Sequence, residues 1–441
     1  MKWEIKTLTI SHSKYEDLKN KISNKSCKIV VIGCGYVGAE LCSALALNNF
    51  HYVSAYEISS DRIKQLKEKL SLKEYKIAHF HISNDPTLIK FADIICICVP
   101  SPLSKSRLKP DMSYIDNAVK EINKFGIKNK LIILESTTSP FTTLDRILPK
   151  LEKANKLKVG DNFWLGFSPE RIDPGNSVYT IQNTVKIVSG VTEQCKILVD
   201  QFYSKITKTH VAENTQTAEM IKLYENTFRN VNIALVCELA QYCKSHGINV
   251  WDVIDGASTK EFGFMKFNPG LIGGHCIPLD IHYLTHHASQ NGQKLHLSET
   301  AIAIHDSMPK HITSIIETAV GGKLVGKKIL LVGVSYKPNV SDSRESGAID
   351  IYKLLKKKKA IIRYHDKYID SLFLDNKLLH SLPLNTDNVG SVDCVVILQK
   401  HNYIIEEMLA EIYLDANSIV DCVNAYPQTS YYKTEGKIFT L

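Results

Sequence analysis

The chain has 441 residues, 44% of them hydrophobic and 23% charged, as in an ordinary globular protein long enough for two or three domains. It contains no run of about 18 apolar residues that could form a transmembrane helix, and its charged N-terminus, MKWEIKTLTISHSKYEDLKNK, lacks the apolar core of a signal peptide, so a cytoplasmic protein without a membrane partner is expected. The net charge of +8 is spread along the chain apart from the helix-end run Lys356 to Lys359; this suits anionic small molecules, and no nucleic-acid partner is expected.

After a polar, partly helical N-terminal arm, KIVVIGCGYVGAELCSALALNNFHYVSAYEISSDRI reads as strand, glycine turn, helix and strand. KIVVIG is a continuous apolar run, as a strand buried on both faces of a parallel sheet should be. Gly33, Gly35 and Gly38 make GxGxxG between strand and helix, and Glu57 ends the next strand, 24 residues after Gly33. The first glycine permits a tight turn, the second lets a pyrophosphate approach the backbone, and the third lets the helix pack on the strand. Free N–H groups of the helix N-terminus then face the phosphates. Glu57 would accept hydrogen bonds from a ribose diol and repel a 2′-phosphate, so NAD is expected over NADP. ADIICICVP, KLIILEST and FWLGFSP are further buried-strand runs, each ending in Pro, Ser or Thr at the edge where open α/β sheets bind ligands.

From about Glu213 the texture changes. AEMIKLYENTFRNVNIALVCELAQYCKSHG has apolar residues at helical spacing, no proline, and an end at His246-Gly247. It is read as a long connecting helix whose apolar face includes Met220, Leu223, Phe228, Ile233, Leu235 and Leu239. KKILLVGVSYKPN, the helix-and-strand segment ESGAIDIYKLLKKKKAIIRYHD, VDCVVILQK and NSIVDCVNAY make a second α/β unit. The expected fold is α/β, with two Rossmann-like doubly wound domains joined by a long central helix.

Six of the eleven cysteines, Cys27, Cys34, Cys96, Cys98, Cys394 and Cys422, fall in or beside apolar runs, and no CxxC pair exists, so reduced core cysteines are expected rather than disulfides or a zinc knuckle. Cys276 differs. It follows Gly273, Gly274 and His275, with Asp280 four residues later. Two glycines would let a ligand approach the backbone, and Asp280 could order a water or a base. Three readings stand for Cys276: inert core residue, metal ligand beside His275, His282, His286 and His287, or nucleophile. No second cluster completes a metal site, so no metal is expected. A nucleophilic thiolate beside an NAD domain suggests aldehyde oxidation through a thiohemiacetal and a thioester.

The ordered motifs GCGYVG, CVPSPL, LESTTSP, FSPERIDPGN, AEMIKLYENTFRNVNIALVCELA, GGHCIP with Asp280, and GVSYKPNVSDSRES resemble the UDP-glucose/GDP-mannose dehydrogenase family over nearly everything from Cys27 onward. The resemblance implies an NAD-dependent, four-electron C6 dehydrogenase of nucleotide sugars, a homodimer or higher homo-oligomer. It implies an N-terminal arm over 1–26 and an NAD-binding domain over 27–212. A central helical dimerisation and active-site region over 213–320 and a UDP-sugar-binding domain over 321–441 follow. Cys276 matches the nucleophile, Glu170 the general acid/base, and Lys222 and Asn226 the residues that hold the reacting C6 oxygen, with a water near Asp280. Gly33, Gly35, Tyr36, Val37, Gly38, Glu57, Arg62, Ser101, Thr137 and Arg344 match cofactor positions. Glu170, Arg171, Lys222, Asn226, Phe267, Asn268, Gly273 and Lys337 match substrate positions. Arg171 after SPE resembles the UDP-N-acetylhexosamine branch and points to UDP-N-acetylglucosamine, whose uronic acid feeds surface polysaccharide. The chain departs from the family where a usual glycine is Phe141.

Overall fold

The structure is a computed structural model that describes residues 2–70, 80–104, 109–172, 178–426 and 437–441, with side chains from residue 13 onward except at 69 and 70. The chain divides into two compact units, Met1–Glu225 with His282–Gly292, and Asn226–Ile281 with Gln293–Leu441.

The first unit is built on an eight-stranded sheet: β1 (Lys28–Ile32), β2 (Tyr52–Tyr56), β3 (Phe80–Ser83), β4 (Ile94–Ile97), β5 (Leu131–Leu134), β6 (Trp164–Phe167), β7 (Lys186–Gly190) and β8 (Thr209–Val211). Their order is β3-β2-β1-β4-β5-β6-β7-β8. The first six are parallel, in the doubly wound 3-2-1-4-5-6 order that reverses beside β1. β7 then runs antiparallel to β6. Alternation along β1 separates two cores. Ile29 and Val31 pack with α1 (Lys2–Ser23), α2 (Tyr36–Leu47) and a later helix, Glu193–Tyr203, through Leu18, Leu45 and Phe202. Val30 and Ile32 face the other side. There they pack among residues of Ser113–Phe125 and Leu148–Asn155, including Ile115, Val119 and Leu151. In sequence order the helices after α2 are α3 (Ser60–Leu70), α4 (Ser113–Phe125), α5 (Leu148–Asn155) and α6 (Glu193–Tyr203). The segment expected as an arm is largely α1. Tyr15, Leu18 and Ile22 recur at helical spacing and are buried, which docks the helix on this core.

α7 (Thr215–Ser245) has 31 residues, a rod of roughly 46 Å at 1.5 Å per residue. It runs from the first unit into the second at Glu225–Asn226. Its buried apolar residues are Ala218, Leu223, Ala234, Cys237, Ala240 and Cys243, and the polar Glu219, Lys222, Asn226 and Asn230 are buried with them, whereas Met220, Phe228 and Leu235, expected on the buried face, are exposed with Tyr224 and Tyr242. The helix therefore packs through Leu223, small residues and polar side chains, and presents several of its large apolar residues outward.

The second unit continues with α8 (Val250–Ser258), α9 (Cys276–Gln290, its first six residues here), α10 (His296–Ala319) and α11 (Gly347–Lys357). Its sheet contains β9 (Lys328–Val332), β10 (Ile361–His365), and, after the antiparallel pair β11 (Ser371–Leu374) and β12 (Lys377–His380), β13 (Cys394–Ile397), β14 (Ile419–Asp421) and β15 (Ile438–Thr440). The order is β10-β9-β13-β14-β15, all parallel. Its first turn repeats that of the first unit. Gly33 N–H donates to Tyr56 O at 2.9 Å and Gly333 N–H to His365 O at 2.9 Å, while Lys28 N–H and Lys328 N–H each donate to an aspartate, Asp93 and Asp393, at 2.8 Å.

Candidate active site

Gly33 adopts φ 85, and a Cβ there would lie 2.8 Å from Cys98 O; a Cβ on Gly38 would lie 2.0 Å from Gly33 O. Both glycines are required by the backbone itself. Gly35 differs: a Cβ there would meet nothing within 4 Å. It caps α2 without a side-chain hydrogen bond, so Tyr36 and Val37 open a helix whose first N–H groups no side chain claims at the cap. Glu57 Oε2 accepts from Cys34 N–H at 2.8 Å, and Arg62 Nε donates to Cys34 O at 2.9 Å with its guanidinium 5.7 Å from the Tyr36 ring. An open glycine, an uncapped helix start and a carboxylate at the end of β2 fit a dinucleotide's pyrophosphate and ribose. Ser101 and Thr137 follow β4 and β5 at the same sheet edge and are half-buried. Tyr283 ties these loops together: its O–H donates to Ser101 O at 2.8 Å, and its carbonyl accepts from Ser139 Oγ at 3.2 Å.

Glu170 follows β6 and is buried. Its Oε1 accepts from the N–H groups of Arg171 and Ile172, each at 2.7 Å. Its Oε2 accepts from Lys186 Nζ at 3.2 Å, and Lys222 Nζ donates to the Glu170 carbonyl at 2.5 Å. Lys186, at the start of β7, also donates to Glu135 Oε2 at 2.7 Å, and Tyr203 O–H donates to Glu135 Oε1 at 2.5 Å. Burial pushes the Glu135 carboxyl up, offset by the Lys186 ammonium; burial and Glu135 push the Tyr203 phenol far up. Burial works against the Lys186 charge, yet the two glutamates hold its ammonium firmly protonated. The Arg171 guanidinium pairs with Glu225 at 2.6 Å and donates to Val185 O at 2.6 Å.

In the second unit, Asn226 Nδ2 donates to Asp280 Oδ2 at 2.6 Å, and Asn230 Nδ2 donates to Ile277 O at 3.0 Å. These bonds tie α7 to the first turn of α9, which Cys276 opens. Ten of the eleven cysteines are buried and Cys276 is half-buried. Burial pushes the thiol of Cys27 up to about 12, that of Cys237 up to about 11, and those of Cys96, Cys98 and Cys422 well above the usual range. At a helix start, by contrast, the dipole favours a negative sulfur. The glycines before Cys276 answer a close approach within the chain itself. A Cβ on Gly273 would lie 2.7 Å from the Tyr336 Cβ, and one on Gly274 2.7 Å from its ring, so both admit Tyr336. Phe267 stacks edge-on with Phe228 at 5.9 Å, Asn268 is exposed, and Lys337 is half-buried after the β9 turn. Arg344, expected at the cofactor, lies in this second unit and forks onto Asp342 at 2.7–3.1 Å. Among the described residues no group of three His, Cys, Asp or Glu side chains could hold a metal ion, and no helix is long and apolar enough to cross a membrane.

Glu135, Lys186, Tyr203 and Tyr283 were not singled out from sequence. Glu135 carried a signal, a glutamate closing the apolar run of KLIILEST. Lys186 carried a weaker one, because its strand was not anticipated.

The chain matches models of the UDP-glucose/GDP-mannose dehydrogenase family: the NAD binding domain over 27–207, the central domain over 216–307 and the UDP binding domain over 330–428. It is 33% identical to protein CapL of Staphylococcus aureus over 89% of this chain and 93% of that protein. It is 30% identical to the UDP-N-acetyl-D-glucosamine 6-dehydrogenase of Pseudomonas aeruginosa, over 86% and 91%. With the UDP-N-acetyl-D-mannosamine dehydrogenase of Methanocaldococcus jannaschii the figures are 32%, over 87% of each. The solved structure of a UDP-D-ManNAc dehydrogenase from Pyrococcus horikoshii superposes with a TM-score of 0.82 at 27% identity, covering 94% of this chain and 98% of that one.

Proposed function

Because the chain belongs to the UDP-glucose/GDP-mannose dehydrogenase family and is an NAD-dependent UDP-sugar dehydrogenase, we propose that it oxidises the C6 hydroxyl of a UDP-N-acetylhexosamine to the uronic acid, UDP-N-acetylglucosamine being the first choice and surface polysaccharide the destination. The observation that carries the four-electron reading is Cys276, half-buried at the start of α9 while the other ten cysteines are buried.

NAD, which the Gly33–Gly38 turn and Glu57 would hold, supplies the hydride acceptor, one molecule for each of the two oxidations. Lys222 Nζ, with a water ordered near Asp280, takes up the proton of the C6 oxygen or stabilises the oxyanion that develops there, and Asn226 helps hold that oxygen. Cys276 Sγ adds to C6 of the aldehyde, and the second oxidation leaves a thioester on it. Glu170 accepts a proton from the water that hydrolyses this thioester. Arg171, Phe267, Asn268, Gly273 and Lys337 contact the nucleotide sugar, and Ser101, Thr137, Arg62 and Arg344 the cofactor. The division into an N-terminal segment over 1–26, an NAD-binding domain over 27–212, a central region over 213–320 and a UDP-sugar-binding domain over 321–441 belongs to the same reading.

A homodimer or larger homo-oligomer is part of the proposal. Met220, Tyr224, Phe228, Leu235 and Tyr242 are exposed, and their spacing gathers them on one face of α7, an apolar stripe suited to a second copy. UDP-N-acetylmannosamine is the second substrate reading, supported by the relative at 32% identity whose name specifies that sugar. A panel of UDP-sugars with NAD, read by NADH yield and product mass, decides: two NADH per UDP-N-acetylglucosamine and a product heavier by one oxygen and lighter by two hydrogens support the first choice. One NADH per sugar would remove the four-electron reading.

A further inference from the structure

We propose that Lys186 is a positioning residue for hydrolysis, holding the Glu170 carboxylate in place while Glu135 acts as its counterweight. The inference rests on the reading of Glu170 as the group that activates water.

Every hydrogen bond shown at the Glu170 carboxylate leaves it in a defined orientation. Two backbone N–H groups hold Oε1, and Lys186 Nζ holds Oε2. Lys186 is itself 3% exposed, so its ammonium has almost no water. It donates to Glu135, Glu170 and the Pro169 carbonyl, and lies 5.0 Å from the face of the Tyr203 ring. A buried lysine on a strand start is not required by the fold; an apolar residue would suit the two-faced sheet. What the ammonium does is balance charge. With Glu170 ionised, two carboxylates share one cation. Once Glu170 has taken a proton, Lys186 and Glu135 remain as a neutral pair. Both states of the base are thus accommodated without moving Lys186, and Glu135, anchored by Tyr203, keeps the ammonium from following either state. The other groups facing the cluster are Cys96 of β4 and Cys98 just after it, whose thiols burial keeps protonated, and Lys222, which holds the Glu170 carbonyl.

The step served is balanced. Water oxygen bonds to the thioester carbon, its proton passes to Glu170, the carbon–sulfur bond breaks, and the electron pair returns to Cys276 Sγ. Without Lys186, the two carboxylates repel each other, and Glu170 is both misoriented and harder to keep ionised.

The test compares Lys186→Met, Lys186→Arg, Glu135→Gln, the double variant Lys186→Met with Glu135→Gln, and Glu170→Gln, after circular dichroism and NAD binding establish folding. The readouts are thioester accumulated on the protein by intact mass and the pH profile of turnover. Lys186→Met should slow hydrolysis roughly 100-fold at neutral pH and accumulate thioester, as Glu170→Gln should. Its acidic limb should move up by about one pH unit, and the added Glu135→Gln should move the limb back. Lys186→Arg should recover part of the rate. Should Lys186→Met fail to fold, Glu135→Gln in the otherwise native protein carries the test, with the acidic limb expected to move down. A purely structural lysine would lower the yield of folded protein without moving either limb. The proposal is overturned when Glu170→Gln accumulates thioester but the Lys186 and Glu135 variants leave the limb where it was. If Glu170→Gln hydrolyses normally, the reading of Glu170 itself falls, and the proposal falls with it.

Discussion

Asn226 hands its amide N–H to a buried oxygen of Asp280 across 2.6 Å, and neither residue is more than 6% exposed. Asn226 therefore supports the carboxylate whatever it does for substrate. Asn226→Leu would strip a donor from a buried charge, a loss of about 1–3 kcal/mol. Asn226→Asp would set two carboxylates at hydrogen-bond distance and should destabilise more. Urea unfolding measures both; parent-like midpoints would show that the bond contributes nothing to the fold.

Much of this arrangement is legible in the residues, and the reasons it stops are physical. GxGxxG with Glu57 reads well because each glycine answers a local backbone demand, as the Cβ distances at Gly33 and Gly38 show. The long helix reads well in extent, but not in orientation. Its periodicity marks apolar faces without saying which one packs inward, and small residues won over Met220, Phe228 and Leu235. Gly273 and Gly274 were legible as a close approach, but the approaching group is Tyr336, 62 residues beyond Gly274, and only tertiary structure supplies it. Lys186 stayed hidden because β7 breaks the parallel pattern, and a lone lysine at a strand start ordinarily reads as solvated.

Cofactor choice should follow Glu57. A 2′-phosphate near that carboxylate would meet like charge, worth several kcal/mol, so NAD should exceed NADP in kcat/KM by roughly 100-fold or more. Glu57→Ser should narrow the gap chiefly by improving NADP. Equal efficiencies in the parent protein would refute the assignment.

Glu219 should make stability depend on pH. It is fully buried on α7, and Thr143 donates to its Oε1 through both N–H, at 2.9 Å, and Oγ1, at 2.7 Å. Burial nonetheless pushes its carboxyl up to about 7 from 4.5. The folded protein therefore retains a proton that the unfolded chain has lost between those values. Stability from this group falls as pH rises from about 4.5 to about 7 and is level above, a change on the order of 3 kcal/mol. Glu219→Gln, which keeps the shape and removes the charge, should flatten that part of the profile in denaturant titrations from pH 4 to 8. A slope unchanged by the substitution would assign the dependence elsewhere.

Accessibility and helix position together make Cys276 the thiol to test first. Ten cysteines are buried out of reach of solvent, while Cys276 is half-buried at the start of α9. Iodoacetamide on the folded protein should add one carboxamidomethyl group, mapped to Cys276 by peptide mass, and inactivate in step with labelling. Saturating UDP-sugar should slow the labelling. Cys276→Ser keeps the shape, but its hydroxyl stays protonated at neutral pH and is a far poorer nucleophile. Net acid formation should fall by roughly 1,000-fold, about 4 kcal/mol in barrier, while NAD and UDP-sugar still bind. Residual turnover should leave an ester on the enzyme, visible by intact mass, because an alkoxide departs less readily than a thiolate. Parent-like acid production by Cys276→Ser, or first labelling at another cysteine with activity retained, would return Cys276 to a packing residue beside the Tyr336 contact.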